Sequence, residues 1–282
     1  MLTSPLSIRG VAPFAIALAA GLSSLGAQVL PLNFSGGNGT DAVDQYTGIA
    51  GSGWKTPWTT AAGSAMSGYS GTVTNTTPLA GGGDYLQMSM TLGATSAGNQ
   101  WMRLSRQIDN AAINLSSAVM ISFTLRPDSL VSNANETFTI FGGTAATNNT
   151  GAGDTWKITG DGGGWGVYNG NTLVNLGRLG PANLQDTTYK FTIYSDPTTK
   201  SYVVTIDNLT NGQTITSSTL GWRTTAGVEN SYINFVAQAG SVGTFGYSLD
   251  NVIVAVPEPG TVALLALAGG AVALRLIRRR RA

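Results

Sequence analysis

The sequence predicts an all-β protein, a single antiparallel β-sandwich of the jelly-roll type, on three observations. Charged residues make up 10% of the 282-residue chain and 38 residues are glycine, a composition that suits short strands joined by many turns. Between residues 85 and 254, apolar and polar residues repeatedly alternate, as they do in strands with one buried face. Turn signals rich in glycine and asparagine separate these stretches, so about ten short strands are expected to form one sandwich.

The alternating runs predict strands at Tyr85–Leu92, Val119–Leu125, Thr137–Phe141, Thr155–Thr159, Gly164–Tyr168, Tyr189–Ser195, Ser201–Asp207, Gln213–Ser217, Tyr232–Gln238 and Tyr247–Val254. The run Asp196–Lys200 is a predicted hairpin loop between two of them. Residues 28–80 are less regular, and they predict either a first strand with long surface loops or a flexible stretch.

The composition excludes several kinds of chemistry. The chain contains no Cys and no His, which removes Ser-His triads, cysteine nucleophiles and zinc sites built from His or Cys. We therefore predict no cofactor. Residues 28–256 contain nine basic and thirteen acidic residues, a net charge of about −4. A nucleic-acid-binding domain would show a basic face, so no nucleic-acid partner is predicted.

Residues 1–27 have the features of a signal peptide. Arg9 gives a positively charged start, residues 11–22 are mostly apolar, and small residues end at Ala27, where cleavage is predicted. The apolar run is too short for a permanent membrane span. The alternative is a buried core helix.

Residues 257–282 have the features of a membrane-anchoring tail. Residues 260–277 are apolar apart from Thr261 and Arg275 and would extend about 27 Å as a helix, close to the thickness of a bilayer core. The arginines that follow this helix place the C-terminus in the cytoplasm and the rest of the chain on the other side. The tail begins with Pro257, Glu258 and Pro259 and ends with the cluster Arg278, Arg279, Arg280 and Arg281.

This order of Pro-Glu-Pro motif, apolar helix and arginine cluster resembles the PEP-CTERM sorting signal of Gram-negative bacteria. The resemblance implies that an exosortase, a membrane-embedded cysteine transpeptidase, cuts near residues 257–259. It also implies export across the inner membrane, anchoring by the C-terminal helix, and then a place at the cell surface or outside the cell, often alongside exopolysaccharide. The alternative is an ordinary tail anchor whose prolines stop the helix, and it predicts the same topology.

The closing strands of the middle region carry a second resemblance. The strand pair between residues 189 and 207, followed by Asp250-Asn251-Val252 within Tyr247–Val254, looks like the closing half of concanavalin-like or laminin-G-like sandwiches. The resemblance implies a jelly-roll fold. It does not imply one function, because such folds host lectins, hydrolases, lyases and adhesion modules.

Aromatic residues close to loop acids predict a carbohydrate site. Sugars stack their apolar C–H faces on aromatic rings, and neighbouring carboxylates can bind hydroxyl groups. The candidate rings are Trp101, Trp156, Trp165 and Tyr168, with Asp154 and Asp161 on adjacent loops. The alternative is that these rings fill the sandwich core, because Trp is usually largely buried.

Three aspartates are weak candidates for calcium ligands, although no metal site is predicted overall. They are Asp154, Asp161 and Asp250, the last with its neighbour Asn251, and calcium prefers clustered oxygen ligands. The sequence contains no D-x-D-x-D-G loop, and the stretch after Asp161 is first of all a turn signal.

We therefore predict a non-enzymatic, exported protein of the cell surface or extracellular matrix, with a structural or adhesive role and weak glycan binding. No catalytic residues are predicted. Residues 28–256 contain only two glutamates, Glu136 and Glu229, which are isolated, whereas glycoside hydrolysis needs two positioned carboxylates. The alternative is a polysaccharide-processing hydrolase or lyase on a jelly-roll scaffold.

Overall fold

The computed structural model describes residues 28–32, 34, 53–64, 66, 68–92, 100–129, 137–147, 153–161, 164–180, 184–223, 231–238 and 243–257. The predicted signal peptide, the tail from Glu258 onwards with its arginine cluster, and the glutamates Glu136 and Glu229 lie outside these residues. Within the described ranges, no helix has both the length and the apolar character needed to cross a membrane.

Sixteen β-strands make up the regular structure of the described residues. In chain order they are β1 Gln28–Leu32, β2 Thr59–Ala62, β3 Gly68–Thr74, β4 Tyr85–Leu92, β5 Trp101–Gln107, β6 Val119–Ser129, β7 Thr137–Gly143, β8 Asp154–Asp161, β9 Gly164–Asn169, β10 Thr172–Gly177, β11 Tyr189–Asp196, β12 Ser201–Asn208, β13 Thr214–Thr216, β14 Leu220–Gly221, β15 Tyr232–Gln238 and β16 Gly243–Val256. Residues 29–256 form one compact unit.

The strands form two sheets with antiparallel pairing. The nine-stranded sheet has the order β13-β12-β11-β6-β16-β4-β3, with β1 paired to β16 and β14 paired to β12. The seven-stranded sheet has the order β10-β9-β8-β7-β15-β5-β2. Strands that are distant in the chain are neighbours in both sheets, such as β6 with β16 and β5 with β15. The all-β, antiparallel, two-sheet prediction is therefore confirmed.

The apolar core lies between the two sheets. Phe123 of β6 contacts Phe235 of β15 with 5.1 Å between ring centroids, and Trp165 of β9 contacts Phe191 of β11 at 4.9 Å. Each pair joins a strand of one sheet to a strand of the other. Burying an apolar side chain of this size contributes about 1.5–3 kcal/mol. The alternation that predicted the strands is thus the same pattern that builds the core.

The described part of residues 28–80 contributes three strands and three buried rings, those of Phe34, Trp54 and Trp58. The ring of Trp58 lies 6.4 Å from that of Phe34 and 6.2 Å from that of Phe235, measured between centroids. Residues 35–52 lie outside the described residues, so both alternatives for this region stay predictions.

Candidate functional site

The outer face of the seven-stranded sheet points away from the core, and β8 and β9 supply part of it. Trp165 and Val167 of β9 are core residues, so the intervening Gly166 and the following Tyr168 point outward. On β8, Ile158 is likewise a core residue, so Lys157, Thr159 and Asp161 point outward. We call this surface the seven-stranded outer face.

A small cavity of about 140 Å³ opens on the seven-stranded outer face. Its wall combines a carboxylate, a hydroxyl, an amide and an aliphatic side chain, and its lining residues are Thr159, Asp161, Gly164, Trp165, Gly166, Leu173 and Asn175. Leu173 is 52% exposed, so it forms an apolar wall that reaches solvent. The cavity can therefore hold a small ligand that is polar on one side and apolar on the other.

Gly166 keeps this cavity open. A Cβ atom at this position would lie 2.9 Å from Cδ1 of Leu173 and 3.5 Å from Cγ2 of Thr159. Gly166 also pairs with Thr159 of β8 and Asn175 of β10. A side chain here would therefore project between the two walls of the cavity.

Tyr168 lies one residue row away from the cavity on the same face. It pairs with Leu173 of β10 and its side chain is partly exposed. Two cations contact its ring: Nζ of Lys157 lies 4.8 Å from the ring centroid, and Cζ of Arg223 lies 4.3 Å from it. Both distances are within the range of cation–π attraction.

Lys157, Arg223 and Asp154 form a poorly hydrated charged cluster beside Tyr168. Nη1 of Arg223 is 3.7 Å from Oδ2 of Asp154, whose side chain is fully buried. Burial lowers the pKa of Lys157 to about 8, with a further lowering by Arg223 and an opposing effect of Asp154. Burial also raises the pKa of Asp154, while Lys157 and Arg223 partly oppose that rise. Lys157 and Asp154 thus each respond to the other two charges of the cluster.

Backbone contacts hold Arg223 in place. Its N–H donates to the carbonyl of Thr155 of β8 at 2.9 Å. The preceding Trp222 donates from its backbone to the carbonyl of Lys200 at 2.9 Å and from its indole Nε1 to Oγ of Ser195 at 3.1 Å. These bonds tie the segment after β14 to strands of both sheets, so the guanidinium is positioned by the scaffold.

Tyr202 fixes the backbone beneath the same cluster. Its hydroxyl donates to the carbonyl of Tyr168 and lies 3.3 Å from the carbonyl of Lys157. Burial raises the pKa of Tyr202 to about 12, so this hydroxyl keeps its proton at physiological pH. Lys157 and Tyr168 are therefore held at a fixed spacing.

Two of the four rings predicted for sugar stacking are core residues instead. Trp156 and Trp165 are buried, and glycines on the neighbouring strands make room for them. A Cβ at Gly160 would lie 2.4 Å from Cζ3 of Trp165, and one at Gly142 would lie 2.1 Å from Nε1 of Trp156. This placement corrects the prediction for both rings, because neither offers a face to solvent.

Trp101 and Tyr168 are the two predicted rings that remain partly exposed. Trp101 pairs with Gln238 of β15, three strands away from Asp161 on the same outer face, or about 14 Å at the usual strand spacing. Thr137 of β7 and Gln238 of β15, which pair with each other, lie between them. Asp161 pairs with Gly164 of β9, which is four residues, or about 13 Å, along the strand from Tyr168. Asp161 and Tyr168 therefore lie at different ends of the cavity, Asp161 in its wall and Tyr168 beside Leu173 of that wall.

The three calcium candidates do not meet. Asp161 lies at the exposed end of β8, Asp154 at its buried start, and Asp250 on β16 of the other sheet. Asp250 is 4% exposed, and its Oδ1 has no hydrogen-bond partner among the described residues. Within the described ranges, no three acidic residues form a metal-sized group. Both carboxylate oxygens of Asp154 likewise have no hydrogen-bond partner among the described residues. Calcium binding at any of the three stays a prediction.

A second cavity, of about 520 Å³, lies on the outer face of the nine-stranded sheet. Its lining is mainly hydroxyl and aliphatic side chains, with Lys190 as its charged member: Ala80, Met120, Ser122, Thr124, Lys190, Thr192, Leu209, Asn251 and Ile253. It is larger than the first cavity, but its lining contains no aromatic ring and no carboxylate. We therefore place the candidate site on the seven-stranded outer face, where the chemistry is more varied.

Comparison with known proteins gives no family for this chain. No protein-family model matches it, and no curated protein matches it in sequence. Among solved structures, the chain is similar to a carbohydrate esterase of the Shiga toxin-encoding bacteriophage phi24B, with 14% identity over 81% of this chain and 100% of that one and a TM-score of 0.47.

Two further similar structures are the catalytic domain of a glycoside hydrolase family 131 protein from Coprinopsis cinerea and the seed lectin of Lotus tetragonolobus. The first has 13% identity, covers 69% of this chain and 82% of that one, and has a TM-score of 0.46. The lectin has 11% identity, covers 68% and 92%, and has a TM-score of 0.41. At such identities and TM-scores, these likenesses say nothing about what this chain binds.

Proposed function

We propose that this chain is an exported β-sandwich protein of the jelly-roll type that binds polysaccharide on its seven-stranded outer face and has a structural or adhesive role. The observation that carries the proposal is the cavity with Asp161 in its wall beside the partly exposed ring of Tyr168. Sugars combine hydroxyl groups with apolar C–H faces, and this arrangement offers a partner for each.

The size of the cavity favours weak, polymer-dependent binding. At about 140 Å³ it is well below the roughly 300–1,000 Å³ of pockets that enclose drug-sized ligands. A cavity of this size suits one substituent or ring of a longer chain lying across the sheet. Repeated units of a polymer and many copies of the protein at a surface would then raise the avidity.

A non-enzymatic role is supported by the spacing of the carboxylates on β8. Asp154 and Asp161 are seven residues apart, or about 23 Å along a strand, whereas the carboxyl pair of a glycoside hydrolase is separated by about 5–9.5 Å. Asp154 is also buried. The alternative, a polysaccharide hydrolase or lyase, predicts turnover of a bound polymer. We expect no change in polymer length or reducing ends during incubation with the protein.

Binding can be tested with variants of the full-length chain. We expect Asp161→Asn and Tyr168→Ala each to weaken binding to a soluble polysaccharide panel about tenfold, as measured by affinity electrophoresis and calorimetry. Tyr194 is a matched control, because it is 36% exposed on β11 of the other sheet. Equal losses in Tyr194→Ala and Tyr168→Ala, or no binding to any polymer of the panel, would contradict the proposed function.

Sorting by the PEP-CTERM tail is the second part of the proposal. The order of Pro257, Glu258, Pro259, an apolar stretch and Arg278–Arg281 supports it. We expect mass spectrometry of the mature protein from cell-surface and culture fractions to show a C-terminus near Pro257, made by an exosortase. An intact tail ending at Ala282 in the membrane fraction would instead indicate a simple tail anchor.

A further inference from the structure

We propose that the polysaccharide bound by the seven-stranded outer face is acidic, and that Arg223 beside Tyr168 binds the carboxylate of a uronic-acid unit. This inference rests on the proposed function, because it names the ligand class of the same surface. Three features of the described residues lead to it: the hydrogen bonding of Arg223, its position relative to the cavity, and its preorganisation.

The hydrogen bonding of Arg223 is incomplete. Its Nε and Nη1 atoms are buried and have no hydrogen-bond partner among the residues that the structure describes. The nearest carboxylate oxygen, Oδ2 of Asp154, is 3.7 Å from Nη1, which is too long for a hydrogen bond. Asp154 also interacts with the charge of Lys157. A guanidinium in this state gains from an additional anion, and a carboxylate matches its planar geometry.

The position of Arg223 places such an anion next to the proposed sugar cavity. Its Cζ lies over the ring of Tyr168 at 4.3 Å, and Tyr168 pairs with Leu173, which lines the cavity. Tyr168 and Gly166 are two residues apart on β9, or about 7 Å along the strand. The ring of Tyr168 and the cavity at Gly166 are therefore neighbours on this face. One sugar unit on the Tyr168 ring can then direct its carboxylate to Arg223 while its neighbour enters the cavity.

The backbone that carries the guanidinium is also held before any ligand arrives. The backbone of Arg223 is bonded to Thr155, and that of Trp222 to Lys200. The side chain of Arg223 is 12% exposed, so part of it faces solvent on this surface. A preorganised charge loses little entropy when it binds a ligand. In a surrounding that water reaches poorly, its attraction to an anion is also screened less than at an open surface.

The net charge of about −4 on residues 28–256 opposes an acidic polymer only at a distance. At physiological ionic strength, charges more than about 8 Å apart are largely screened. The short-range interaction with Arg223 and Lys157 therefore decides the preference for or against an acidic sugar. A dependence on salt is expected, because this interaction is electrostatic.

The test compares two forms of one polymer, homogalacturonan with free carboxylates and the same polymer with methyl-esterified carboxylates. We expect the full-length protein to bind the free-acid form at least about tenfold more tightly than the esterified form. This affinity ratio should fall as NaCl is raised from 50 to 500 mM. Arg223→Gln is expected to bring the ratio to about 1–2, whereas Arg223→Lys should keep part of it. Lys190→Gln removes an exposed cation from the other sheet and should leave the ratio unchanged.

The outcomes separate this inference from the proposed function. Equal binding of both forms by the wild-type protein, with Asp161→Asn weakening both, would overturn the acidic-ligand inference and keep the polysaccharide site. If Arg223→Gln unfolds at the same temperature as the wild type and keeps the same affinity ratio between the free-acid and esterified forms, the role of Arg223 is overturned. Binding of neither form would count against both proposals.

Discussion

The outer faces of the two sheets differ in how completely their cations are bonded. On the nine-stranded sheet, Nε of Arg126 donates to Oδ1 of Asp128 at 2.6 Å, and Nη1 donates to the carbonyl of Thr77 at 3.0 Å. Its Nη2 lies 3.3 Å from Oγ of Ser248, which itself donates to Asp128 at 2.6 Å. On the seven-stranded sheet, Arg223 leaves two buried donors without a partner among the described residues.

The hydroxyl side chains of the nine-stranded sheet include a bonded pair and two residues that line its cavity. A row of hydroxyl side chains crosses the nine-stranded sheet through Thr216, Thr205, Thr192 and Ser122, and Oγ1 of Thr205 lies 3.1 Å from that of Thr216. Thr205 and Thr216 bond to each other. Thr192 and Ser122 line the second cavity, as the polar groups around Asp161 line the first. Incompletely bonded, partly buried charge costs stability. Among the described residues, Arg223 carries such charge beside the seven-stranded outer face, and Asp250 carries it on the nine-stranded sheet.

The largest expected effect concerns the hydrogen-bonded network of Arg126, Asp128 and Ser248 on the nine-stranded sheet. Asp128→Ala would leave Arg126, whose side chain is only 10% exposed, without its carboxylate, and we expect a loss of about 3 kcal/mol of unfolding free energy. Arg223→Gln removes a cation that its surroundings satisfy less well, and we expect a change below about 1 kcal/mol. Urea unfolding of the full-length chain measures both. Equal losses in the two variants would remove the distinction between the faces.

The next effect concerns the cavity itself. Gly166→Ala places a methyl group against Leu173 and Thr159, and we expect polysaccharide binding to weaken about tenfold. Gly68→Ala is the matched control on β3 of the other sheet, because a Cβ there has no heavy atom within 4 Å. Calorimetric titration compares the two variants. If Gly166→Ala binds like Gly68→Ala, the cavity is not part of the site.

A smaller effect is expected in the pH dependence of stability. The folded-state pKa of Lys157 is about 8, below its ordinary value of 10.5, so between these values the unfolded chain binds more protons than the folded one. The contribution of Lys157 therefore makes the free energy of unfolding rise with pH across this window. Below pH 8 the destabilisation from burying the charged lysine is fully present. In Lys157→Met this contribution disappears, and the stability curve should rise less between pH 8 and 10.5.

The difference between the two curves isolates Lys157 from the other titrating groups. Tyrosines with raised pKa values, such as Tyr202, act in the opposite direction at higher pH and are present in both proteins. Asp154 and Arg223 face the lysine in both as well. Thermal unfolding at closely spaced pH values provides the measurement. Parallel curves for the two proteins would contradict the buried-cation description of the cluster.

Strands with a regular alternation could be predicted from the sequence, and strands without it could not. β4 and β15 have the predicted bounds, and the hairpin of β11 and β12 is confirmed. β5 was not predicted, because Arg106 occupies one of its inward positions and is buried, with its guanidinium 4.7 Å from the ring of Trp54. β10 was not predicted either, because it is an edge strand with little burial on either face.

The residues of the candidate site also differ in whether the local sequence could predict them. Asp161 and Tyr168 could be named from their local context, but Arg223 could not, because the pairing of β14 with β12 and its own bond to Thr155 bring it to Tyr168. Such long-range pairings leave no local pattern in the sequence. The burial of Trp165 did have a local signal, since Gly160 is its cross-strand partner and provides the space for its ring.

The central claim, that the seven-stranded outer face is the binding surface, is tested most directly by hydrogen–deuterium exchange of the full-length chain with and without polysaccharide. We expect slower exchange in peptides that cover residues 154–177, and no change across residues 189–208 on the other sheet. Protection confined to residues 189–208, or no protection under conditions where calorimetry detects binding, would contradict this account.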